Sequence, residues 1–144
     1  MLYLPDSNIL IYAKMSGMKE HKASLAWLKA ALADPDATLL VCETVLLSFL
    51  RICTNSRVFA PALPASEAVV FITGFVRRSD VQIFRPPPQH FIDVAKFIKK
   101  HKFGGDLTMD AHLAAIALST GATLVTRDKD FKKIPYLKTL DPLI

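Results

Sequence analysis

Short apolar runs alternate along this chain with longer stretches in which apolar residues recur every three or four positions. "MLYLP", "TLLVC", "VQIF" and "ATLVT" have strand length and turn or helix signals after them. The stretches between them read as helices. "SNILIYAK" is the first, and "KEHKASLAWLKAALA" the second, with Leu25, Leu28 and Leu32 in a stripe and lysines opposite, stopped by "DPDA". A third carries Glu43, Leu47, Leu50 and Thr54 along one side. "PALPASEAVVFITGFVRRS" is a helix entered through prolines, with Ser66 as its expected cap. "QHFIDVAKFIKKH" is amphipathic and basic at its end, where cations suit the helix dipole. After the loop "KFGGD", the helix "LTMDAHLAAIALSTG" ends at Gly121, and "LKTL" can add a short edge strand.

Strands alternating with helices predict an α/β fold: a central, mainly parallel sheet of four to five short strands flanked by helices. This topology constrains where the acids go. In a parallel sheet all strand C-termini lie at one edge, and ligands bind outside that edge. Asp6 follows the first strand, Glu43 the second, and Asp128 follows "ATLVT". Asp110 opens a helix that must return antiparallel to that last strand, so it starts at the same edge. Four acids distant in sequence are thereby expected at one place.

With 144 residues and neither repeats nor a long linker, the chain is expected to form one domain, 1–144. A hydrophobic fraction of 51% and a mean hydropathy of +0.30 favour strands buried on both faces and an apolar surface kept for a partner. No apolar run has the length of a membrane span, and Asp6 interrupts what a signal peptide would keep apolar; a cytoplasmic protein without membrane contact is expected. Cys42 and Cys53 form no CxxC and have no histidine at zinc spacing, so two reduced, buried thiols are expected. The net charge of +5 favours anionic partners, though many ordinary proteins are as basic.

Each acid alone could serve as a helix cap or a turn residue. Capping does not explain why all four share an edge among apolar residues. Carboxylates held together repel unless a cation joins them, and oxygen-only ligation suits Mg²⁺ or Mn²⁺. Such a site can activate water and stabilise charge on a phosphoryl group.

"LPDSNILIYA", "CETVLLSFLRICTNSRVF", "DLTMDAHLAAIALSTGATLVTRDKDF" and the final "DPLI" resemble PIN-domain ribonucleases, specifically VapC-type toxins of toxin–antitoxin pairs. The likeness covers nearly the whole chain, and "DAHLAAIAL…GATLVTRDKDF" is its most specific part. It implies a PIN-like fold and an endoribonuclease dependent on Mg²⁺ or Mn²⁺. It further implies cleavage of single-stranded or loop RNA, inhibition by a cognate antitoxin and usually a homodimer. By that resemblance Asp6, Glu43, Asp110 and Asp128 are the catalytic acidic quartet and the metal ligands. Asp6 and Asp110 would be central, Glu43 would act directly or through a metal-bound water, and Asp128 would complete the site or hold a second ion. Ser7 and Asn8 stand where the family usually has Thr-Asn, which keeps the hydroxyl. Asn8 and Thr126 are candidates to orient the carboxylates by hydrogen bonds, with Ser7 beside them.

Several neighbours have two readings. Asp106 reaches the site if the Asp110 helix starts four residues early, and is otherwise a loop or cap residue. Arg51, two turns beyond Glu43, suits either a phosphate or a salt bridge. Arg127 touches RNA or is solvated. Asp130 is read as a turn residue, His112 as structural or surface, and Lys99–Lys102 as a solvated helix end. The stripe containing Trp27 is core or antitoxin groove. The rival functions are a non-catalytic PIN-like module that binds RNA or protein, and a receiver-type phosphotransfer domain. For the latter, "RPPP" follows the central strand where a phosphoacceptor acid is needed. Only five glycines and no GxGxxG or GxxxxGK[ST] exclude a nucleotide-binding Rossmann protein.

Overall fold

The structure, a computed structural model, describes residues 1–144. Five strands form a single sheet: β1 (Leu2–Pro5), β2 (Thr38–Val41), β3 (Val81–Ile83), β4 (Thr123–Val125) and β5 (Thr139–Leu140). Their order is β3-β2-β1-β4-β5, and every pairing is parallel. The helices are α1 (Ser7–Lys14), α2 (His21–Ala33), α3 (Glu43–Cys53), α4 (Ala65–Val76), α5 (His90–His101) and α6 (Thr108–Thr120).

The α/β expectation with a parallel sheet is met, and "LKTL" does supply an edge strand, with Thr139 in register with Leu124. Leu4, Leu39, Val41, Leu124 and Val125 are fully buried, as expected for strands covered on both faces. Both cysteines are free and buried, and Gly121 ends α6 in the left-handed region at φ 76°, where a side chain would be strained. The basic end of α5 is exposed, as its helix-end reading requires.

One local expectation fails. Ser66 does not cap α4: the helix begins at Ala65, with Pro64 at the capping position. Proline's fixed φ already sets the chain up for the first turn, so the boundary falls before the serine. No helix is long and apolar enough to cross a membrane.

β1 and β4 are adjacent at the centre of the sheet. The segments leaving their C-terminal ends therefore start side by side, and the functional residues grow from there.

Candidate active site

Asp6 leaves β1 with its backbone N–H bonded to the Val125 carbonyl at 3.0 Å. It is the N-cap of α1, its Oδ1 accepting from the Ile9 backbone N–H at 3.1 Å. The bland reading of this residue is therefore correct, but incomplete. Its Oδ2 accepts from the hydroxyl of Thr126, the residue that follows β4. The same hydroxyl accepts the Asp128 backbone N–H at 3.0 Å. One buried threonine thus fixes two acids on neighbouring strands. Asp128 in turn caps the short 3-10 helix Lys129–Lys133, accepting from the Asp130 N–H at 2.9 Å. Asp110 comes from the first turn of α6, on the side the parallel topology requires.

These three acids line one cavity of about 350 Å³. Ser7, Asn8, Thr44, Ser48 and Arg127 add polar groups to the wall, and Val45, Met109 and Leu113 apolar ones. Burial lifts the Asp110 carboxyl to about 6, and the charges of Asp128, Asp6 and Asp130 push in the same direction. Asp6 is raised by burial as well, with Asp128 adding to it, while its bonds from Thr126 and Ile9 pull the other way. Arg127 sets a cation on the wall, its Nη1 3.9 Å from buried Glu20 and its Nε 3.6 Å from Asp141 of the final "DPLI".

Glu43 departs from expectation. It is the first residue of α3, is exposed, and does not line the cavity. Thr44 and Ser48, one helical turn apart, hold the wall instead. Consecutive residues point about 100° apart around a helix, so seating Thr44 inward turns Glu43 toward solvent. Accordingly, no three Asp, Glu, His or Cys side chains are drawn closely enough together to ligate one ion.

The two further candidates also fall outside. Asp106 is exposed in a 3-10 turn, Gly105–Leu107; α6 starts only at Thr108, so the helical spacing that could bring Asp106 to the site is broken. Arg51 is exposed on α3, makes no ion pair and does not line the cavity, since Glu43, its reference point, faces outward too. Asp130 is a turn residue, as read, paired with Lys133 at 3.4 Å.

Thr44 and Ser48 were missed by reasoning from acids alone. Their signal was two hydroxyls at i and i+4 in "ETVLLSFLRIC", apolar otherwise except for Glu43 and Arg51. Behind Thr44 lies a partly buried polar chain. Its hydroxyl is 3.1 Å from Cys42 Sγ and 3.0 Å from His112 Nε2, and His112 Nδ1 is 2.9 Å from His90 Nε2. Burial holds both imidazoles below their ordinary value, and His90 lowers His112 further. Of the two readings of His112, the structural one holds.

The PIN domain family model matches residues 3–136, nearly the whole chain. The chain is a PIN-domain protein of the VapC family. Among its relatives, Ribonuclease VapC37 of Mycobacterium tuberculosis is 32% identical over 137 residues, 95% of this chain and 94% of that one. Ribonuclease VapC33 of the same organism is 29% identical over 142 residues, 99% of each chain. The fold agrees with a toxin–antitoxin complex from Klebsiella pneumoniae, with a TM-score of 0.65 at 18% identity over 97% of both chains.

Within this VapC-family chain, the donor set of the cavity suits a hard divalent cation. It offers carboxylate and hydroxyl oxygen and no thiolate or imidazole. The mutual charge interaction of Asp110, Asp128 and Asp6 is what a cation relieves. Mg²⁺ keeps several waters and needs only one or two carboxylates, so a set of three acids that do not all converge on one point is not at odds with it.

Proposed function

We propose that the protein is the toxin of a toxin–antitoxin pair: a Mg²⁺- or Mn²⁺-dependent endoribonuclease that hydrolyses single-stranded or loop RNA. The observation that carries this reading is the cavity in which Asp6, Asp110 and Asp128 meet at the C-terminal edge of a parallel sheet. It is supported by membership of a family whose members are named ribonucleases.

In this reading Asp6 and Asp110 would hold the cation, with waters in its remaining positions, and Asp128 would complete the site by its charge. A divalent cation held by these residues would offset their charge and would supply Lewis acidity for phosphodiester hydrolysis by water. Thr126 keeps Asp6 and Asp128 in fixed positions, which avoids reorganisation when charge develops. Ser7 and Asn8, at the start of α1, place a hydroxyl and an amide on the wall. Arg127 offers a cation to the entering phosphate, tethered loosely enough by Glu20 and Asp141 to exchange partners. Glu43 acts from the rim, through a water. The basic remainder of the chain attracts RNA in a salt-dependent manner.

Bacterial RNA incubated with the protein should be cut in Mg²⁺ or Mn²⁺ and left intact in EDTA. The products should carry 5′-phosphate and 3′-hydroxyl ends, because water and not the RNA 2′-hydroxyl attacks phosphorus. Cyclic 2′,3′-phosphate ends, or full activity in EDTA, would falsify the mechanism. RNA affinity unchanged between low and moderate salt would count against the electrostatic part.

The antitoxin seat is the cavity of about 950 Å³ between the α1–α2 connection and the segment before α4, lined by Met15, Met18, Phe59, Pro61 and Leu63 with Lys14, Lys19, Glu20 and Glu67. Glu20 belongs to this wall and also pairs with Arg127 on the acid cavity, so one ion pair links the two cavities. Leu47, Val70 and Phe91 are exposed by 64, 72 and 74% and provide apolar area for a homodimer. Sizing and light scattering at high concentration test the dimer; a strict monomer would remove it. Acting on RNA, the protein would work in the cytoplasm.

The outward position of Glu43 gives the non-catalytic RNA- or protein-binding module its one specific support. RNA cleavage that disappears with an Asp110 substitution eliminates that alternative.

A further inference from the structure

The chain Cys42–Thr44–His112–His90 joins the end of β2, the start of α3, α6 and α5 through consecutive contacts of 3.1, 3.0 and 2.9 Å. Only one of its members, Thr44, lines the acid cavity. A hydroxyl has one donor hydrogen and two acceptor sites. The contacts with His112 and Cys42 use two of these three. The remaining valence is available to whatever enters the cavity.

We infer that Thr44 is a substrate-contacting residue, its hydroxyl proton donated to an RNA phosphate, and that His112, braced by His90, is the positioning residue that aims it. This deepens the ribonuclease reading and rests on it. The contacts allow two arrangements of the hydrogens. If His112 carries its proton on Nε2, it donates to Thr44, and the Cys42 thiol donates to the other lone pair. The hydroxyl proton is then left for the cavity. In the same arrangement His112 Nδ1 is an acceptor and takes the Nε2 proton of His90. His90 is itself buried, set edge-on to Phe84 with ring centroids 5.3 Å apart, so the terminal ring cannot turn freely. Reversing every donor would have Thr44 donate to His112 and leave only an acceptor toward the cavity. An acceptor does not serve an anionic phosphate.

His112 sits two residues after Asp110 on α6, and Thr44 one residue after Glu43 on α3. The bond between them therefore fixes the separation of the two helices whose first turns carry acids of the site. It also places a neutral donor across the cavity from the carboxylates, where a phosphate needs one and a further charge is not required.

The test uses the full chain carrying Asp110→Asn, so that RNA is bound but not cut, with a fluorescent single-stranded RNA oligonucleotide as probe in Mg²⁺ buffer. Adding Thr44→Val, which keeps shape and removes the hydroxyl, should raise the dissociation constant about 10-fold or more, the loss expected of a hydrogen bond to a charged group. Thr44→Ser should bind within about twofold of the parent, as a rescue by the remaining hydroxyl. His112→Phe should weaken binding as Thr44→Val does, and His112→Gln, which keeps an N–H toward Thr44, should recover part of it. Equal binding by the Thr44→Val protein, or no RNA binding by the parent, would overturn the inference. Should Thr44→Val fail to fold, the imidazole ¹⁵N spectrum of the unsubstituted protein decides: a proton on His112 Nε2 supports the inference, and one on Nδ1 overturns it. The nuclease reading is judged separately, by whether wild-type protein cleaves bacterial RNA and Asp110→Asn does not. That result can fail while the binding comparison stands, and the reverse.

Discussion

The two walls of the acid cavity are built on different principles. The wall formed by β1, β4 and the start of α6 carries Asp6, Asp128 and Asp110, and its Asp6 and Asp128 parts are locked by a backbone bond and the buried Thr126 hydroxyl. The α3 wall presents Thr44 and Ser48 and leaves its acid, Glu43, exposed. One wall holds charge that burial makes unfavourable, and the other holds neutral hydroxyls. The difference shows where function costs stability. Asp6 and Asp128 are kept together at strand ends that cannot move apart, because they follow adjacent strands of one parallel sheet. A helix start is less constrained, and Glu43 can be solvated while its neighbour packs.

The largest effect should come from the locked wall. Asp110→Asn should reduce the initial rate of RNA cleavage by on the order of 10²-fold or more, comparable with removing a principal electrostatic group from an active site. Cleavage within a few-fold of wild type would mean that the cavity is not where the chemistry happens.

Glu43→Gln tests the other wall and should cost about 10-fold, below the 10²- to 10⁴-fold of a group that transfers a proton directly, because Glu43 is exposed and acts through a water. A loss equal to that of Asp110→Asn would show that α3 turns its acid inward when cation and RNA are present. The two walls would then differ only in the free protein.

A pH series on metal-free protein sharpens the contrast. The Asp110 carboxyl is raised from 3.8 to about 6, so between those values the folded state holds more protons than the unfolded state. Stability from this group is highest below about pH 4, falls as pH rises through the window, and levels off above about 6. Asp6, also raised, acts in the same direction. His90 and His112 are lowered and work oppositely, adding stability as pH rises toward 6.5. The informative quantity is therefore the difference in melting temperature between Asp110→Asn and wild type. It should grow in favour of the mutant between pH 4 and 6 and shrink again when Mg²⁺ is added, since an ion that binds only the folded protein stabilises it by mass action. A difference independent of pH would mean that the carboxyl is not held in unfavourable surroundings.

The sequence revealed the locked wall far better than the α3 wall, for a physical reason. Parallel strand order forces the residues after β1 and β4 to the same edge, so Asp6 and Asp128 could be brought together from periodicity alone. Thr126 was legible too, because it lies directly between a strand and an acid. Side-chain direction at a helix start depends on which residue packs inward, and a shift of one residue exchanges Glu43 for Thr44. Asp106 was uncertain for a related reason: whether its turn joins α6 is decided by the 3-10 geometry after the glycines. The His90–His112 contact was beyond reach, since nothing in the chain between α5 and α6 encodes the pairing of two rings.

The smallest expected effect is on Asp6 itself, where two roles oppose each other. As N-cap it accepts from the Ile9 N–H, and losing such a cap altogether costs about 0.5 to 2 kcal/mol. Asp6→Asn keeps a carbonyl oxygen for that bond. It also removes a buried charge whose ionised form the fold disfavours, which stabilises the metal-free protein. Against this, the Asn amide now faces Thr126, whose hydroxyl can accept from it but loses the acceptor for its own proton. An unpaired buried donor costs about 1 to 3 kcal/mol. The contributions nearly cancel, so the melting temperature of metal-free Asp6→Asn should stay within a few degrees of wild type. Asp6→Ala loses the cap as well and should melt clearly lower. The wild type should rise on adding Mg²⁺, and Asp6→Asn much less. A mutant that gained as much from Mg²⁺ as the wild type would leave Asp6 a helix cap only, and the locked wall would have Asp110 and Asp128 as its functional pair.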